Sequence, residues 1–537
     1  MVAIGRSDMT TETDVLVVGA GPTGLTLALQ AHAHGARVRI IDRRRERVRP
    51  SRAMMLHARA LECLRPLGVS EALLDRADTA PEARIHFGRR VVPVQLGHVD
   101  LPDTAFPHLT LVRQADVEEV LWSALEEHGV RVEWGVEFLG VSSFSSGGRL
   151  VSASLRTTDD RLELHPCRFI AGCDGQSSTV RSVMGATWSG APYRVEALLA
   201  DLELQDAPEP GMLHVAVNAS GLAFLFALGE GSTWRMLATR PAEPDPSAAF
   251  GQLDLPAPAD DVRRLLEESS LAATISDVRW SARIPLQRRV AKPFRRGALF
   301  LAGDAAHAHS PAGGQGMNNG ILDAANLGWK LGLASVGSGH GRLLDSYDQE
   351  RRRAARRVLA LTHAIFFAEA SPNPAARLLR GGLLPFAAPV MPALLRRKRL
   401  TAIAVRLLAQ PYVHYGQSGI SRDGAPRNHR WPRPGHRLAD AAVTTDGRVG
   451  RLHELTAAPG IHVLLERDAR WDPDLLGTRQ PRALVHIHRI VSHPGRGVVA
   501  VRPDGHVGFR CGEADGQLGD WLRLVGAPER LGKPLAR

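Results

Sequence analysis

Residues 14–42 read DVLVVGAGPTGLTLALQAHAHGARVRIID, and this stretch decides the fold class of the chain. The apolar run Asp14–Val18 is typical of a buried parallel strand. A glycine loop follows it and opens a helix that continues to about Gly35, and Arg37–Ile41 has the pattern of a second strand. A strand, a tight loop, a helix and a strand are the opening of a doubly wound sheet, so we predict a Rossmann-like α/β domain.

The glycine spacing in this stretch indicates what the loop binds. Gly19, Gly21 and Gly24 form a Gly-x-Gly-x-x-Gly motif between the strand and the helix. Gly19 permits the tight turn, Gly21 lets a diphosphate approach the backbone, and Gly24 lets the helix pack on the strand. Asp42, at the end of the second strand, can hold ribose hydroxyls. The motif predicts a bound dinucleotide and by itself does not separate FAD from NAD.

Two further motifs follow predicted strands. Residues 171–181, AGCDGQSSTVR, place Asp174 and a glycine before a capped helix, although an ordinary Asp-Gly turn is the favoured interpretation of this stretch when it is taken alone. Residues 299–318, LFLAGDAAHAHSPAGGQGMN, run from a buried strand through Asp304 into a long loop of small residues. A flat ring could lie against that loop, with the N–H groups of a helix that begins near Gly316 beside its developing negative charge.

Composition and spacing exclude several function classes. The net charge is +11, but no basic array interleaved with aromatic residues accompanies it, so we predict no nucleic-acid partner. The four cysteines form neither Cys-x-x-Cys nor a zinc spacing, and His307 and His309 lack a third ligand candidate, so no metal is predicted. No apolar run is long enough to span a membrane. We expect a cytoplasmic monomer or homodimer with no membrane partner.

In their order and separation, the three motifs resemble those of the single-component (class A) flavin-dependent aromatic hydroxylases, typified by p-hydroxybenzoate hydroxylase and phenol hydroxylase. The resemblance covers roughly residues 12–370 and extends weakly to the C-terminus. Residues 51–69 and 113–121 resemble family segments whose arginine and glutamine reach FAD. The resemblance implies bound FAD, with NADPH or NADH as a transient reductant and O₂ as co-substrate. That family has no second Rossmann domain, which agrees with the single glycine motif.

The resemblance also implies a role for each motif residue. The glycine motif would hold the diphosphate, Asp42 the adenosine ribose, Asp304 the ribityl chain, and Asp174 would serve both FAD and NADPH. Arg43 belongs to a basic run that could help bind an NADPH 2′-phosphate or could be a solvated charge cluster. The predicted cofactor-binding residues are Gly19, Gly21, Pro22, Thr23, Gly24, Asp42, Arg43, Arg52, Gln114, Asp174, Gly303, Asp304, Pro311, Gly314, Gln315, Gly316, Met317 and Asn318.

The domain organisation predicted from the strand and helix patterns and from this resemblance has four parts. Residues 1–190 and 280–370 would form a discontinuous FAD-binding domain, and 191–279 an inserted antiparallel sheet that binds substrate. Long helices and a linker would occupy 371–435. Residues 436–537 resemble the thioredoxin-like domain of polyketide-hydroxylase relatives. Since that part lacks Cys-x-x-Cys, we expect it to pack rather than to exchange disulfides.

The implied reaction is a monooxygenation. NAD(P)H would reduce FAD, and a flavin C4a-hydroperoxide formed with O₂ would hydroxylate an aromatic ring. No protein residue is assigned a catalytic role; Arg52 and Pro311 are expected beside the flavin ring. The C-terminal domain and the few aromatic residues favour a polycyclic phenol of the polyketide type over a small phenol. Baeyer–Villiger insertion, epoxidation, inactivation of an antibiotic, and a flavoprotein without turnover remain alternatives.

Overall fold

A computed structural model describes most of the 537-residue chain. Predictions for Arg52 and for most of residues 384–412 lie outside the described residues. The described residues are 13–47, 51, 53–87, 90–97, 101–144, 150–208, 211–217, 221–227, 232–242, 256–269, 271, 273–337, 341–371, 373–383, 386, 389, 406, 413–424, 432–445, 447–470, 484–512 and 517–526.

The helices and strands are numbered in chain order. The helices are α1 (Pro22–Ala33), α2 (Ala58–Leu64), α3 (Ser70–Leu74), α4 (Gln114–Glu127), α5 (Thr179–Met184), α6 (Ala259–Glu268), α7 (Gln315–Val336), α8 (Gly341–Ala370), α9 (Pro374–Leu378), α10 (Leu452–Leu455) and α11 (Gln517–Leu524). The strands are β1 (Thr13–Val18), β2 (Val38–Asp42), β3 (Met55–Leu56), β4 (Glu82–Phe87), β5 (Arg90–Gln95), β6 (Thr110–Leu111), β7 (Val132–Trp134), β8 (Glu137–Phe144), β9 (Val151–Arg156), β10 (Leu162–Gly172), β11 (Thr187–Gln205), β12 (Met212–Val217), β13 (Leu222–Phe226), β14 (Trp234–Pro241), β15 (Thr274–Lys292), β16 (Arg295–Arg296), β17 (Leu299–Leu301), β18 (His307–Ala308), β19 (Arg422–Gly424), β20 (Ala442–Thr445), β21 (Arg448–Arg451), β22 (Ile461–Glu466), β23 (Val485–Ile490), β24 (Val498–Val501) and β25 (Val507–Cys511).

The first sheet forms the Rossmann-like domain and confirms the predicted strand, loop, helix and strand at the start of the chain. Its strand order is β16-β17-β10-β1-β2-β7, and β8 and β9 extend from β10. Strand β1 is fully buried and pairs in parallel with both β10 and β2. Strand β17 is also parallel to β10. Because these parallel strands end at one edge of the sheet, the loops that follow them meet there.

Helices α1 and α7 pack closely against each other. A Cβ on Gly328 or Gly332 of α7 would lie 2.6 Å or 2.5 Å from the Cβ of Gln30 or His34. Glycines on α7 therefore let the two helix backbones approach. This packing places the N-terminus of α7 beside the N-terminus of α1, at the same edge of the sheet.

The second sheet is the predicted inserted sheet, with the order β18-β15-β11-β14-β13-β12-β4-β5. Strands β11 and β15 form its long antiparallel centre, and both continue into the Rossmann-like domain. The sheet also includes β4 and β5. These strands lie within residues 1–190, the segment predicted to belong to the FAD-binding domain. Strand β4 pairs in parallel with β12. A pairing between segments so far apart in the chain leaves no local pattern, which is why the prediction did not include it.

The third sheet lies in the C-terminal part, with the order β19-β25-β24-β22-β23. Its core continues into α7 and α8, because Trp329 packs in one cluster with Phe509 and Trp521. Strand β19 comes from the segment predicted as linker and pairs in parallel with β25. All four cysteines are buried free thiols.

One predicted helix was wrong in part. The pattern over 53–67 predicts a single helix, but the chain first forms the short strand β3 and begins α2 only at Ala58. The cause is a tertiary contact: the backbone N–H of His57 donates to Asn318 Oδ1 at 2.8 Å, which holds this segment extended. Helix α7 begins at Gln315, one residue before the predicted helix start near Gly316.

Candidate functional site

The three sequence motifs meet at the carboxyl edge of the first sheet. A Cβ on Gly19 would lie 2.4 Å from the carbonyl oxygen of Cys173 and 3.0 Å from the backbone nitrogen of Asp174, so the first motif touches the second. A Cβ on Gly303 would lie 2.5 Å from Thr23 Oγ1, so the third motif touches the first. These approaches accept only glycine. The fold therefore builds one cleft from all three motifs.

The glycine motif leaves helix N–H groups open at this cleft. Gly19 adopts a φ of +103°, and a Cβ on Gly24 would lie 1.8 Å from the carbonyl oxygen of Gly19. Helix α1 begins at Pro22, and no described side chain caps it at Gly21. Its first-turn N–H groups and its dipole can therefore bind an anionic diphosphate.

Asp42 fixes the glycine loop through its own hydrogen bonds. Its Oδ2 accepts from the backbone N–H of Ala20 at 2.8 Å, and its two oxygens accept from Nε and Nη2 of Arg44 at 3.1 Å and 3.0 Å. Although burial opposes ionisation, Arg44 holds the pKa of Asp42 below its usual value. Arg44 also lies over the ring of Trp134, whereas the predicted Arg43 is exposed. Ribose binding by Asp42 stays a prediction.

Asp174 lies beside the glycine motif. Its Oδ2 accepts from the backbone N–H of Val180 at 3.1 Å, while its buried Oδ1 has no hydrogen-bond partner among the described residues. Burial raises the pKa of Asp174. Ser178 caps α5, and Arg181 in that helix donates to the carbonyl of Ala305 at 3.0 Å. The second motif is thus tied to the third.

Residues 303–318, called here the flavin loop, begin with a tight turn. Gly303 has a φ of +60°, a conformation that favours glycine. The neighbouring Asp304 is half-buried, and in the described part of the chain its side chain makes neither a hydrogen bond nor an ion pair. Its carboxylate is available to accept from a hydroxylated chain, as predicted for ribityl.

The second half of the flavin loop packs against β3. Gly314, with a φ of +62°, precedes α7, and a Cβ there would lie 3.2 Å from the Cβ of Met55. The amide of Asn318 donates to the carbonyls of both Met55 and Gly314 at 2.8 Å and accepts from His57. Residues 315–317 occupy the first turn of α7, whose N-cap Gly314 lacks a capping side chain among the described residues.

Two histidines lie behind Pro311 in the flavin loop. His309 stacks on His307 at 6.0 Å between ring centroids, and burial, together with the nearby His307, lowers the pKa of His309. His307 Nε2 donates to Asp323 Oδ2 at 2.7 Å. Within the described residues, no three His, Cys, Asp or Glu side chains assemble as a metal site. Both histidines therefore act in the hydrogen bonding of the loop.

Gln114 holds the segment that contains the predicted Arg52. Its Oε1 accepts from the backbone N–H of Ala53 at 3.3 Å, and the hydroxyl of Ser51 accepts from the N–H of Ala115 at 2.9 Å. These bonds attach both neighbours of Arg52 to the start of α4. Direct contact between Gln114 and FAD remains a prediction.

An apolar wall of the second sheet borders the cleft. Leu213 and Phe226 pack with Met54, the residue before β3. Beside them lies a cavity of about 440 Å³, lined on one side by these apolar residues and on the other by Arg113 and Asp116. Since ligand pockets are concave and a few hundred Å³ in volume, with apolar walls and a few polar groups, this cavity can take an aromatic molecule.

Sequence reasoning missed Arg44, His57 and Asp323. Arg44 stands beside the predicted Arg43, and only the path of the chain after β2 decides which arginine turns inward. His57 falls in the segment that was predicted as helix. Asp323 follows the third motif by five residues, and its helical spacing from Asn319 was the one available signal that it faces the flavin loop.

The residues present fit FAD. The open N–H groups of α1 suit the diphosphate, and the partnerless oxygens of Asp174 and Asp304 suit hydroxyl donors. The uncapped start of α7 offers backbone N–H groups and a helix dipole to the edge of a flat ring. A Cβ on Gly19 or Gly303 would close the approaches that shape this cradle.

Comparison with known proteins agrees with this fit. Residues 12–362 match the FAD binding domain family. The 6-methylpretetramide 4-monooxygenase of Streptomyces rimosus is 34% identical over 476 residues, which are 85% of this chain and 78% of that protein. The rifampicin monooxygenase of Streptomyces venezuelae is 32% identical over 499 residues, 92% of this chain and 94% of that protein. The structure of the anhydrotetracycline hydroxylase from Streptomyces rimosus has a TM-score of 0.72 at 29% identity and covers 96% of this chain and 100% of its own.

A Rossmann-like sheet with a diphosphate loop, a flavin loop and an inserted apolar sheet defines a flavin-dependent oxidoreductase of the aromatic-hydroxylase fold. The chain belongs to the FAD binding domain family, since the family match spans well over half of it. The protein is an FAD-dependent monooxygenase, as are its relatives. Among the described helices, none combines the length and apolarity needed to cross a bilayer.

Proposed function

We propose that the protein hydroxylates a polycyclic aromatic substrate of the polyketide type, with NAD(P)H as reductant and O₂ as oxygen source. The observation that carries this proposal is the apolar face of the second sheet, where Leu213 and Phe226 pack with Met54 beside β3 and line a cavity of about 440 Å³. A flat apolar molecule can enter this cavity, whose lining includes Leu111 of β6, the strand that pairs with β3. The named substrates of the relatives, including anhydrotetracycline, support the same class.

The predicted residues would hold the cofactor in this scheme. The N–H groups of α1 and the carboxylates of Asp42, Asp174 and Asp304 would bind the diphosphate, ribose and ribityl parts. When bound, FAD supplies the oxygen-transfer chemistry. Residues 314–318 would lie along its ring, and the N-terminus of α7 would stabilise negative charge at the ring edge. The apolar side chains of Leu213 and Phe226 would exclude water and orient the substrate.

We further propose that the C-terminal sheet is a thioredoxin-like domain without redox activity. Its five strands, with α11 packed on β25, support the resemblance. The burial of all four cysteines leaves no exposed thiol pair for disulfide exchange. In this view the domain contributes packing to α7 and α8.

Purified protein would test the substrate class. We expect a flavin absorbance spectrum and NADPH oxidation that polycyclic phenols stimulate more than simple phenols do. The product mass should rise by one oxygen with the ring system intact. Stimulation by simple phenols alone would overturn the proposed substrate class.

Inactivation of an aromatic antibiotic is the second candidate, favoured by the similarity to rifampicin monooxygenase. The same assay separates it from biosynthetic hydroxylation. Ring opening or loss of antibacterial activity of a supplied naphthalene-type antibiotic would indicate inactivation. A hydroxylated product that keeps all rings would favour biosynthesis.

A further inference from the structure

Asp323 is a fully buried carboxylate on the inner face of α7, behind the flavin loop. Its Oδ2 accepts from the backbone N–H of Gly303 at 2.9 Å and from His307 Nε2 at 2.7 Å. Its Oδ1 accepts from Arg351 Nε at 2.5 Å. One side chain therefore joins the first turn of the flavin loop, strand β18 and helix α8.

The charge of Asp323 is balanced within the same cluster. Although burial opposes ionisation, Arg351 and His307 lower the pKa of Asp323, so it is an anion at neutral pH. Arg351 is itself buried and also donates to the hydroxyl of Tyr415 at 2.9 Å, in the segment that leads to the C-terminal sheet. A buried ion pair of this kind holds its geometry only while both partners remain.

The contact with Gly303 reaches the cofactor cradle directly. Gly303 has a φ of +60° and lies against Thr23, at the start of the diphosphate helix. The next residue is Asp304, whose carboxylate is the acceptor predicted for the ribityl chain. The hydrogen bond from Gly303 to Asp323 therefore sets where the Asp304 carboxylate lies relative to α1.

We propose that Asp323 is a positioning residue for FAD, and that Arg351 acts with it as the counter-charge. Asp323 does not touch the cofactor; it fixes the Gly303 turn and the His307 ring from behind. The inference rests on the proposed placement of FAD against residues 303–318, and it is independent of the aromatic substrate. It predicts that loss of the carboxylate weakens FAD binding beyond what an equal loss of stability elsewhere in the fold would cause.

The neighbouring Glu350 provides a matched control on the same helix. Its buried carboxylate pairs with Lys330 at 2.8 Å and with Arg502 at 2.8 Å, and it faces the C-terminal sheet. Among its described contacts, none reaches the flavin loop. Glu350→Gln and Asp323→Asn therefore remove the same charge from equally buried ion pairs with different neighbours.

The experiment measures FAD binding to apoprotein, by quenching of flavin fluorescence, next to thermal unfolding of the same apoproteins. Asp323→Asn should raise the Kd for FAD by about tenfold or more, since its amide cannot accept from all three donors. Arg351→Lys keeps the charge and should raise the Kd by about threefold. Glu350→Gln should lower Tm while leaving the Kd within about twofold of wild type.

A Kd for Asp323→Asn equal to that of wild type would overturn the proposal. Equal weakening by Asp323→Asn and Glu350→Gln would also overturn it, because the effect would then be general destabilisation. If Asp323→Asn does not fold, an unchanged Kd for Arg351→Lys is the overturning result. Wild-type apoprotein that binds no FAD would instead refute the cofactor site itself, while a wild type that binds FAD without turnover would refute only the proposed reaction.

Discussion

Glu350 and Arg351 are consecutive residues of α8, yet they belong to two different buried networks. Arg351 joins Asp323, His307 and Tyr415 behind the flavin loop, which we call the flavin-loop network. Glu350 joins an interdomain network with Asn326, Lys330, Ser418, Arg502 and Asp504. The first bonds to a backbone N–H in the cofactor cradle, and the second bonds α7 and α8 to the C-terminal part of the chain. Burial and charge alone therefore do not tell which ion pair serves a site.

The largest expected effect comes from breaking the interdomain network. Arg502 is fully buried and donates to both Glu350 and Asp504. Arg502→Leu would leave two buried carboxylates without it, so we expect a loss of about 3–5 kcal/mol in the free energy of unfolding, measured by chemical denaturation of the apoprotein. The exposed pair Arg523–Asp520 gives a control, since Arg523→Leu should cost less than about 0.5 kcal/mol. Equal losses of unfolding free energy in Arg502→Leu and Arg523→Leu would contradict the conclusion that the interdomain network stabilises the fold.

The next effect separates cofactor binding from stability. Gly303 and Gly68 both have positive φ, but a Cβ on Gly303 would meet Thr23 at 2.5 Å, whereas a Cβ on Gly68 would have no atom within 4 Å. Gly303→Ala should weaken FAD binding by about tenfold or more, as measured by titration of apoprotein. Gly68→Ala should cost about 1 kcal/mol of stability through backbone strain and leave FAD affinity intact. Similar affinities for both variants would refute the cradle at Gly303.

Acid should lower the free energy of unfolding through one buried histidine beside each network, in a single pH window. Burial lowers the pKa of His506, beside Asp504, and of His57, beside the flavin loop, to about 4 each. Unfolded histidine binds a proton near pH 6.5. As pH falls from about 6.5 to 4, these histidines bind protons in the unfolded state but not in the folded state. The free energy of unfolding therefore falls by up to about 1.4 kcal/mol per pH unit for each histidine.

Replacing each histidine would sharpen the comparison between the networks. His506→Gln and His57→Gln should each flatten the slope of unfolding free energy against pH between 6.5 and 4, measured by denaturant titration. His57→Gln should in addition weaken FAD binding, because His57 bonds to Gly313 in the flavin loop. An unaltered slope in both variants would show that other groups carry the acid sensitivity.

The smallest effect is expected where the two networks meet. Tyr415 accepts from Arg351, and its ring packs on His506 at 4.3 Å between centroids. Tyr415→Phe keeps the ring and deletes the hydroxyl, so we expect a loss of about 1 kcal/mol in unfolding free energy and a change in FAD Kd below about threefold. A tenfold change in Kd would mean that the C-terminal part controls the cofactor site as strongly as Asp323 does.

Local patterns predicted the parts of the fold that local chemistry determines. The glycine motif and the apolar runs on either side of it predicted β1, the loop, α1 and β2. The parallel pairing of β4 with β12 and of β19 with β25 had no local signal, because register between distant segments depends on the whole core. The short strand at Met55 had no local signal either, because the hydrogen bonds that hold it come from Asn318, far along the chain.

The candidate site divides in the same way. Glycines that must lack a side chain, such as Gly19 and Gly303, are recognisable because no other residue fits their geometry. Asp323 and Arg351 are ordinary charged residues in long helices, and only the fold shows that they face each other. Motifs therefore identify the residues around a ligand more readily than the residues that hold those in place.

The hydrogen bonds of Asn318 have a consequence for synthesis of the protein. They join Met55 and His57 to the start of α7, so the expected site of the flavin ring consists of two pieces separated by most of the first two sheets. During translation the first piece leaves the ribosome long before the second. The nascent chain therefore has no complete place for the flavin ring until α7 has emerged, and FAD capture belongs to the late stages of folding.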